Sequence, residues 1–250
     1  MDRAAAIAGN IAAVRDRIAT AAARAGRDPA AITLVAVTKT HPPELVDAAI
    51  AAGVHDFGEN RVAEAAEKIP LVAGRDNIRW HLIGHVQRNK ARRAAELFDL
   101  IHSVDSLRLA EALDRHVREG ATSGTIAPRR LPILLQINIA GEVQKEGFDV
   151  AGGIQNREAL EPFCRDVDHI LVLGGLEVRG LMTIAPYVAD AEATPRVFRQ
   201  LRELRDDLIR RFPQANWKEL SMGMTGDFEV AVEEGATLVR VGRAIFGERG

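Results

Sequence analysis

Cysteine is almost absent. The chain carries one, Cys164, so it can form neither an intramolecular disulfide nor a cysteine-rich metal site. That scarcity points to a reducing, cytoplasmic setting, and Cys164, between Phe163 and Arg165, reads as a small packed side chain. Aromatic residues make up only 4% of the chain, too few for the stacking platforms that hold single-stranded nucleic acid. A basic excess is missing as well: 33 Lys+Arg against 35 Asp+Glu leaves a formal charge of −2, whereas phosphate-backbone binding needs positive charge gathered on one face. No run approaches the ~20 uncharged apolar residues of a membrane span. No Pro/Gly/Ser-rich linker divides the chain, and no GxGxxG follows its first apolar run, which argues against an open dinucleotide-binding sheet.

What is present is an ordinary globular balance, 47% hydrophobic and 27% charged residues over 250 positions. Ile7, Ile11, Val14 and Ile18 recur at helical spacing, so the Ala- and Arg-bearing N-terminus is expected to be a helix packed on the domain rather than a transit peptide. After it, short apolar runs alternate with longer amphipathic segments. Strands are expected near Thr33–Val37, His55–Phe57, Arg79–Ile83, Leu100–His102, Ile133–Ile137, Glu177–Met182, Lys218–Leu220 and Leu238–Val241. Helical patterns follow them, the clearest being Val197, Leu201, Leu204, Leu208 and Phe212, closed by Pro213. Eight βα units at this length predict a single (β/α)8 TIM barrel domain over residues 1–250, with an extra N-terminal helix. Glu119–Arg130 is expected as a mobile loop at the N-terminal face, and Gly141–Gly153 as a longer loop at the functional face.

Barrel chemistry sits at the C-terminal ends of strands. The polar residues expected there are Lys39, Glu59, Asn60, His81, Ser103, Asn138, Thr183, Ser221, Arg240, Gly242 and Arg243. Lys39 follows the buried run Leu34–Thr38. Low-dielectric walls disfavour a charged ammonium, and an unprotonated amine condenses with a carbonyl. Ser221–Asp227 after the seventh strand and Val239–Arg243 at the eighth match the place where such barrels hold phosphate. Arg240 alternates with Val239 and Val241, so a charge must point into the barrel or against the helices. An amine, a phosphate cradle and an arginine between them together describe a socket for pyridoxal 5′-phosphate (PLP), with a Schiff base at Lys39 and Arg240 facing the pyridine nitrogen.

The motifs AVTKTHP (36–42), FGENR (57–61), WHLIGHVQRNK (80–90), QINI (136–139), RGLM (179–182), LSMGM (220–224) and VRVGRAIFG (239–247) span the chain. With them it resembles the pyridoxal phosphate homeostasis proteins, which are similar in fold to the N-terminal barrel of bacterial alanine racemase. That resemblance implies an alanine racemase N-terminal-domain-like barrel with PLP on Lys39. It implies phosphate held by Ser221, Gly242 and Arg243, Arg240 at the ring nitrogen, and Asn60, His81 and Met222 lining the pocket. Three positions depart from the family pattern: Arg243 stands where a small hydroxyl residue is usual, His41 replaces a second lysine, and His85 replaces a proline.

Three readings follow for the site. The first is a non-catalytic carrier that holds PLP and hands it to apo PLP-dependent enzymes, in intracellular vitamin B6 homeostasis. The second is a single-domain amino-acid racemase, which needs a second base; the one tyrosine, Tyr187, lies beside Pro186 in a loop and reads as a surface residue. The third is a class I aldolase working on a sugar phosphate through Lys39. No metal is expected, since His41, His55, His81 and His102 show no ligand spacing. Arg88, Lys90, Arg92 and Arg93 read as a solvated basic face. The expected partners are PLP and apo PLP-dependent enzymes, without nucleic acid or membrane, for a monomer.

Overall fold

Eight short parallel strands pair edge to edge until the last meets the first. In the computed structural model, which describes residues 3–142, 144–186 and 193–247, they are β1 (Thr33–Val37), β2 (Asp56–Glu59), β3 (Arg79–Leu82), β4 (Leu100–Val104), β5 (Leu131–Asn138), β7 (Leu176–Met182), β8 (Glu219–Ser221) and β9 (Leu238–Val241). The two-residue β6 (Phe148–Asp149) pairs with the end of β5 outside this ring. Pairing runs β1-β2-β3-β4-β5-β7-β8-β9 and closes through β9 and β1, with Val35 opposite Arg240. The chain therefore folds as a closed (β/α)8 barrel.

Strands buried on both faces explain the near-continuous apolar runs. Outward residues such as Ala36, Phe57, Leu82, Ile101, Leu135, Leu181, Leu220 and Val239 join the large core beneath the helices. Inward ones form a small separate cluster of Val35, Leu100, Leu134, Met182 and Leu238. Above that cluster the lumen is polar: His81, His102 and Arg240 are all buried. Those inward polar residues are why sequence boundaries fall short, since β4 runs on to Val104 and β5 to Asn138 past side chains that look like loop.

The helices are α1 (Arg3–Arg24), α2 (Pro43–Ala51), α3 (Val62–Lys68), α4 (Ala91–Leu97), α5 (Leu107–Ser123), α6 (Arg157–Leu171), α7 (Ala193–Arg211), α8 (Phe228–Glu233) and α9 (Arg243–Phe246). The predicted stripe of α1 is buried against α2, α8 and α9, and Asn10 Nδ2 donates to the Ile245 carbonyl at 2.8 Å. Part of the expected loop Glu119–Arg130 is helical instead. Helix α5 continues to Ser123 because Ile126 folds back onto Gly120, where a Cβ would meet Ile126 Cδ1 at 2.6 Å, and Gly124 ends the helix at φ +75°. The expected loop Gly141–Gly153 contains β6. Cys164 is buried in α6, and burial pushes its thiol pKa up. Among the described residues no helix is long and apolar enough to cross a membrane.

Candidate functional site

At the C-terminal ends of the strands lies a cavity of about 800 Å³. Strand alternation delivers Lys39 to it: Val35 points into the lumen, and Val37 and Lys39, two and four residues on, both line the cavity. The backbone beyond Lys39 is strained, because Thr40 sits at φ +67°, rare for a β-branched residue. Its amide donates to Glu64 Oε1 at 2.5 Å, and buried Lys68 donates to the Thr38 carbonyl, Glu59 and Glu64 at 2.7, 2.7 and 2.8 Å. Burial pushes the Glu59 carboxyl pKa up even though Lys68 and Thr38 donate to it. A buried ion pair thus clamps the turn that presents Lys39.

Arg240 forms part of the cavity wall although only 4% of it is exposed. Its Nη2 donates to the Thr183 carbonyl at 2.9 Å and its Nη1 to Ser221 Oγ at 2.5 Å. Burial lowers its pKa to about 10, partly offset by Asp227, so the guanidinium stays charged at neutral pH. Asn60, Gly242 and Arg243 complete the set that the sequence places at this mouth. Gly242 sits in a close approach: a Cβ there would meet the Val37 carbonyl oxygen at 3.2 Å, tighter than an ordinary contact.

Three expected residues sit elsewhere. His81, Ser221 and Met222 are buried beneath the cavity and do not line it. Ser221 Oγ is engaged by Arg240 and by His102 Nδ1 at 2.8 Å, and His81 by His102 and Asp56, each at 2.8 Å. Their polar atoms are spent inside the barrel, and Met222 joins the outer core. The cavity wall after β8 is made by the next residues, Met224, Thr225 and Gly226, which the sequence reading grouped with the turn but did not single out. Gly223, at φ +91° and packed so that a Cβ would meet Ala231 Cβ at 2.6 Å, marks where the chain bends outward, so contacts lie after it. Asp227 Oδ1 closes the turn by accepting from the Met224 amide at 2.5 Å.

The positions that depart from the family pattern are also placed. His41 stacks on Phe246 with ring centroids 5.1 Å apart. His85 Nδ1 lies 3.0 Å from Asp105 Oδ2 and 3.9 Å from Glu146 Oε2. These three side chains, from different segments, could together offer ligands to a cation, a grouping invisible in sequence spacing. Arg243 is exposed at the rim. Arg92 and Arg93 are exposed and pair with Glu96, as a solvated basic face does. Tyr187 lies outside the described residues.

Residues 9–250 match the family model described as "Alanine racemase, N-terminal domain". A Pseudomonas aeruginosa pyridoxal phosphate homeostasis protein is 42% identical over 243 residues, 97% of this chain and 96% of that one. Its Escherichia coli K12 namesake is 39% identical over 248 residues, 97% of each chain. The chain belongs to the pyridoxal phosphate homeostasis protein family. A solved relative of the family, PipY of Synechococcus elongatus PCC7942 with PLP bound, superposes with a TM-score of 0.79 at 37% identity, over 96% of this chain and 100% of that one. The alanine racemase of Streptomyces coelicolor A3(2) shares the fold at TM-score 0.74 and 18% identity, over 98% of this chain and 58% of that one. This chain thus corresponds to the barrel portion of the racemase fold.

Proposed function

We propose that this protein binds PLP at the barrel mouth, through Lys39, and serves PLP homeostasis and supply without catalysing a reaction of its own. The observation that carries the reading is that Lys39, Arg240 and the turns at Thr225–Gly226 and Gly242–Arg243 all open into one cavity. The residues fit the cofactor. The volume suits a small ligand, the buried guanidinium offers donors to a pyridine nitrogen, and Gly242 leaves room beside the Val37 carbonyl. Lys39 would hold the cofactor covalently through its amine, and bound PLP would supply the reactive aldehyde for that link. Thr225, Gly226, Gly242 and the Arg243 main chain would hold the phosphate, and Asn60 would face the ring. The PLP-bound relative at 37% identity supports this.

Arginine rather than carboxylate at the ring nitrogen supports carriage over catalysis. A positive neighbour disfavours a protonated ring, which is the stronger electron sink. The recipients would be apo PLP-dependent enzymes, in the reducing, cytoplasmic setting that a single cysteine suits, with one monomeric barrel unit sufficient for the task.

Loading with PLP, reducing with borohydride and mapping the adduct by peptide mass tests the reading. A yellow band fixed onto Lys39 and lost in Lys39→Ala is expected; a colourless protein with the adduct nowhere on Lys39 would overturn it and favour an aldolase. Loaded protein should also activate an apo-enzyme. Exchange of the α-hydrogen of alanine with heavy water, dependent on Lys39, would instead show a racemase.

A further inference from the structure

Beneath the cavity a row of buried polar groups crosses the barrel. Arg240 on β9 reaches Ser221 on β8 at 2.5 Å, and Ser221 meets His102 on β4 at 2.8 Å. His102 meets His81 on β3, and His81 meets Asp56 at the start of β2, each at 2.8 Å. Asp56 is closed off by Arg79, at 2.8 Å from Nε and 2.9 Å from Nη2. Asp56 also borders a second cavity, near the N-terminal ends of β1 and β2. Nothing in the binding role described above uses His81, His102 or Asp56.

With both imidazoles neutral, the two ends fix every proton between them. A guanidinium only donates, so Ser221 Oγ accepts from Arg240; a carboxylate only accepts, so His81 Nε2 carries the proton toward Asp56. With His81 neutral, its Nδ1 must accept, and His102 Nε2–H donates to it. With His102 neutral, its own Nδ1 accepts in turn, and the Ser221 hydroxyl donates. Burial, reinforced by the charge of Arg240, holds the His102 pKa well below the ordinary histidine value, so an extra proton there is disfavoured. Burial raises the Asp56 pKa, but the bonds from His81 and Arg79 outweigh it and keep the carboxyl ionised.

We propose that Asp56, His81, His102 and Ser221 are positioning residues for Arg240, forming a one-directional hydrogen-bond strip from guanidinium to carboxylate. The strip holds the cation in one orientation and lets the charge at Asp56, on the far side of the lumen, tune the group that faces the bound cofactor's ring. The inference rests on the PLP reading for its ligand, but the strip itself is a property of the ligand-free chain.

The test is made in two parts on the full-length protein. Nitrogen-15 NMR of the ligand-free protein should show His81 and His102 both neutral and both in the Nε2–H form; an Nδ1–H or doubly protonated His102 would overturn the proposal. Ser221→Ala removes one hydroxyl and cuts the strip beside Arg240, while Asp56→Asn keeps the shape and removes the charge. In both variants the Arg240 guanidinium signals should move. The bound PLP should still be fixed to Lys39 by borohydride, but with a shifted absorption band and a dissociation constant raised about tenfold. Folded variants whose Arg240 signals and PLP band match wild type would refute the coupling. If one variant fails to fold, the other decides. Wild-type protein that takes up no PLP would sink the cofactor reading alone, since the tautomers and guanidinium signals are read without ligand.

Discussion

Lys68 carries no chemistry of its own, yet it determines how Lys39 is presented. Its ammonium joins Glu59, Glu64 and the Thr38 carbonyl in a buried knot, and the strained Thr40 persists because that knot holds the turn from both sides. Removing one member of a buried ion pair leaves the other charge uncompensated, at a cost of about 3 kcal/mol. Lys68→Met is therefore expected to lower unfolding free energy by about that amount near neutral pH, measured by urea titration. Burial already raises the Glu59 pKa, so the unpaired carboxyl of the variant titrates above its unfolded value. The deficit is complete above the folded pKa and shrinks as pH falls toward the unfolded one, because both states are then protonated. A gap to wild type that stays constant between pH 7 and 5 would contradict this account. The buried charge of Arg240 offers a second residue-scale test: Arg240→Ala should weaken PLP retention less than Lys39→Ala while shifting the bound cofactor's absorption, since on the proposed reading one residue makes the covalent bond and the other faces the ring.

At the scale of elements, the loop between β8 and α8 shows how a strand end is converted into a binding turn. Inward alternation on β8 sends Ser221 into the lumen, and the positive φ of Gly223 then turns the chain so that Met224, Thr225 and Gly226 reach the cavity. Gly223→Ala must both adopt φ +91° and place a Cβ 2.6 Å from that of Ala231 and 2.9 Å from Phe228 Cα. A loss of about 2 kcal/mol in stability is expected, with phosphate-bearing ligands weakened more than phosphate-free pyridoxal. Calorimetry on both ligands checks this; equal weakening would show that the turn does not hold phosphate. The strand and helix pattern here was legible, because parallel strands and amphipathic helices differ in period. Which residue of the Ser221–Asp227 turn meets the cavity was not, since Ser221 and Thr225 are equally apt hydroxyls until the bend at Gly223 is placed.

For the whole molecule, the buried strip couples stability to pH. His102 is ordinarily half-protonated near pH 6.5 in an unfolded chain, but burial lowers its folded pKa well below that. The depressed value contributes stability that is present above the unfolded pKa and lost as pH falls through it toward the folded one. Unfolding free energy should thus decline below about pH 6.5, with a slope of up to ~1.4 kcal/mol per pH unit from this site. The groups facing His102 are His81, Ser221 and Arg240. His102→Gln should flatten that slope by one proton; a calorimetric pH series in which variant and wild type run parallel would refute the assignment.

The order of strands and helices, and the position of Lys39 just past the first strand, follow from local periodicity, because alternation and helical spacing are written into neighbouring residues. What only the tertiary structure decided is which polar side chains share a wall. His102 and Ser221 lie 119 positions apart and touch across the lumen, while His81 turns inward to Asp56 rather than up to the cavity. Barrel closure sets those meetings, and closure depends on how all eight strands tilt and stagger together, a quantity that no single stretch of the chain contains.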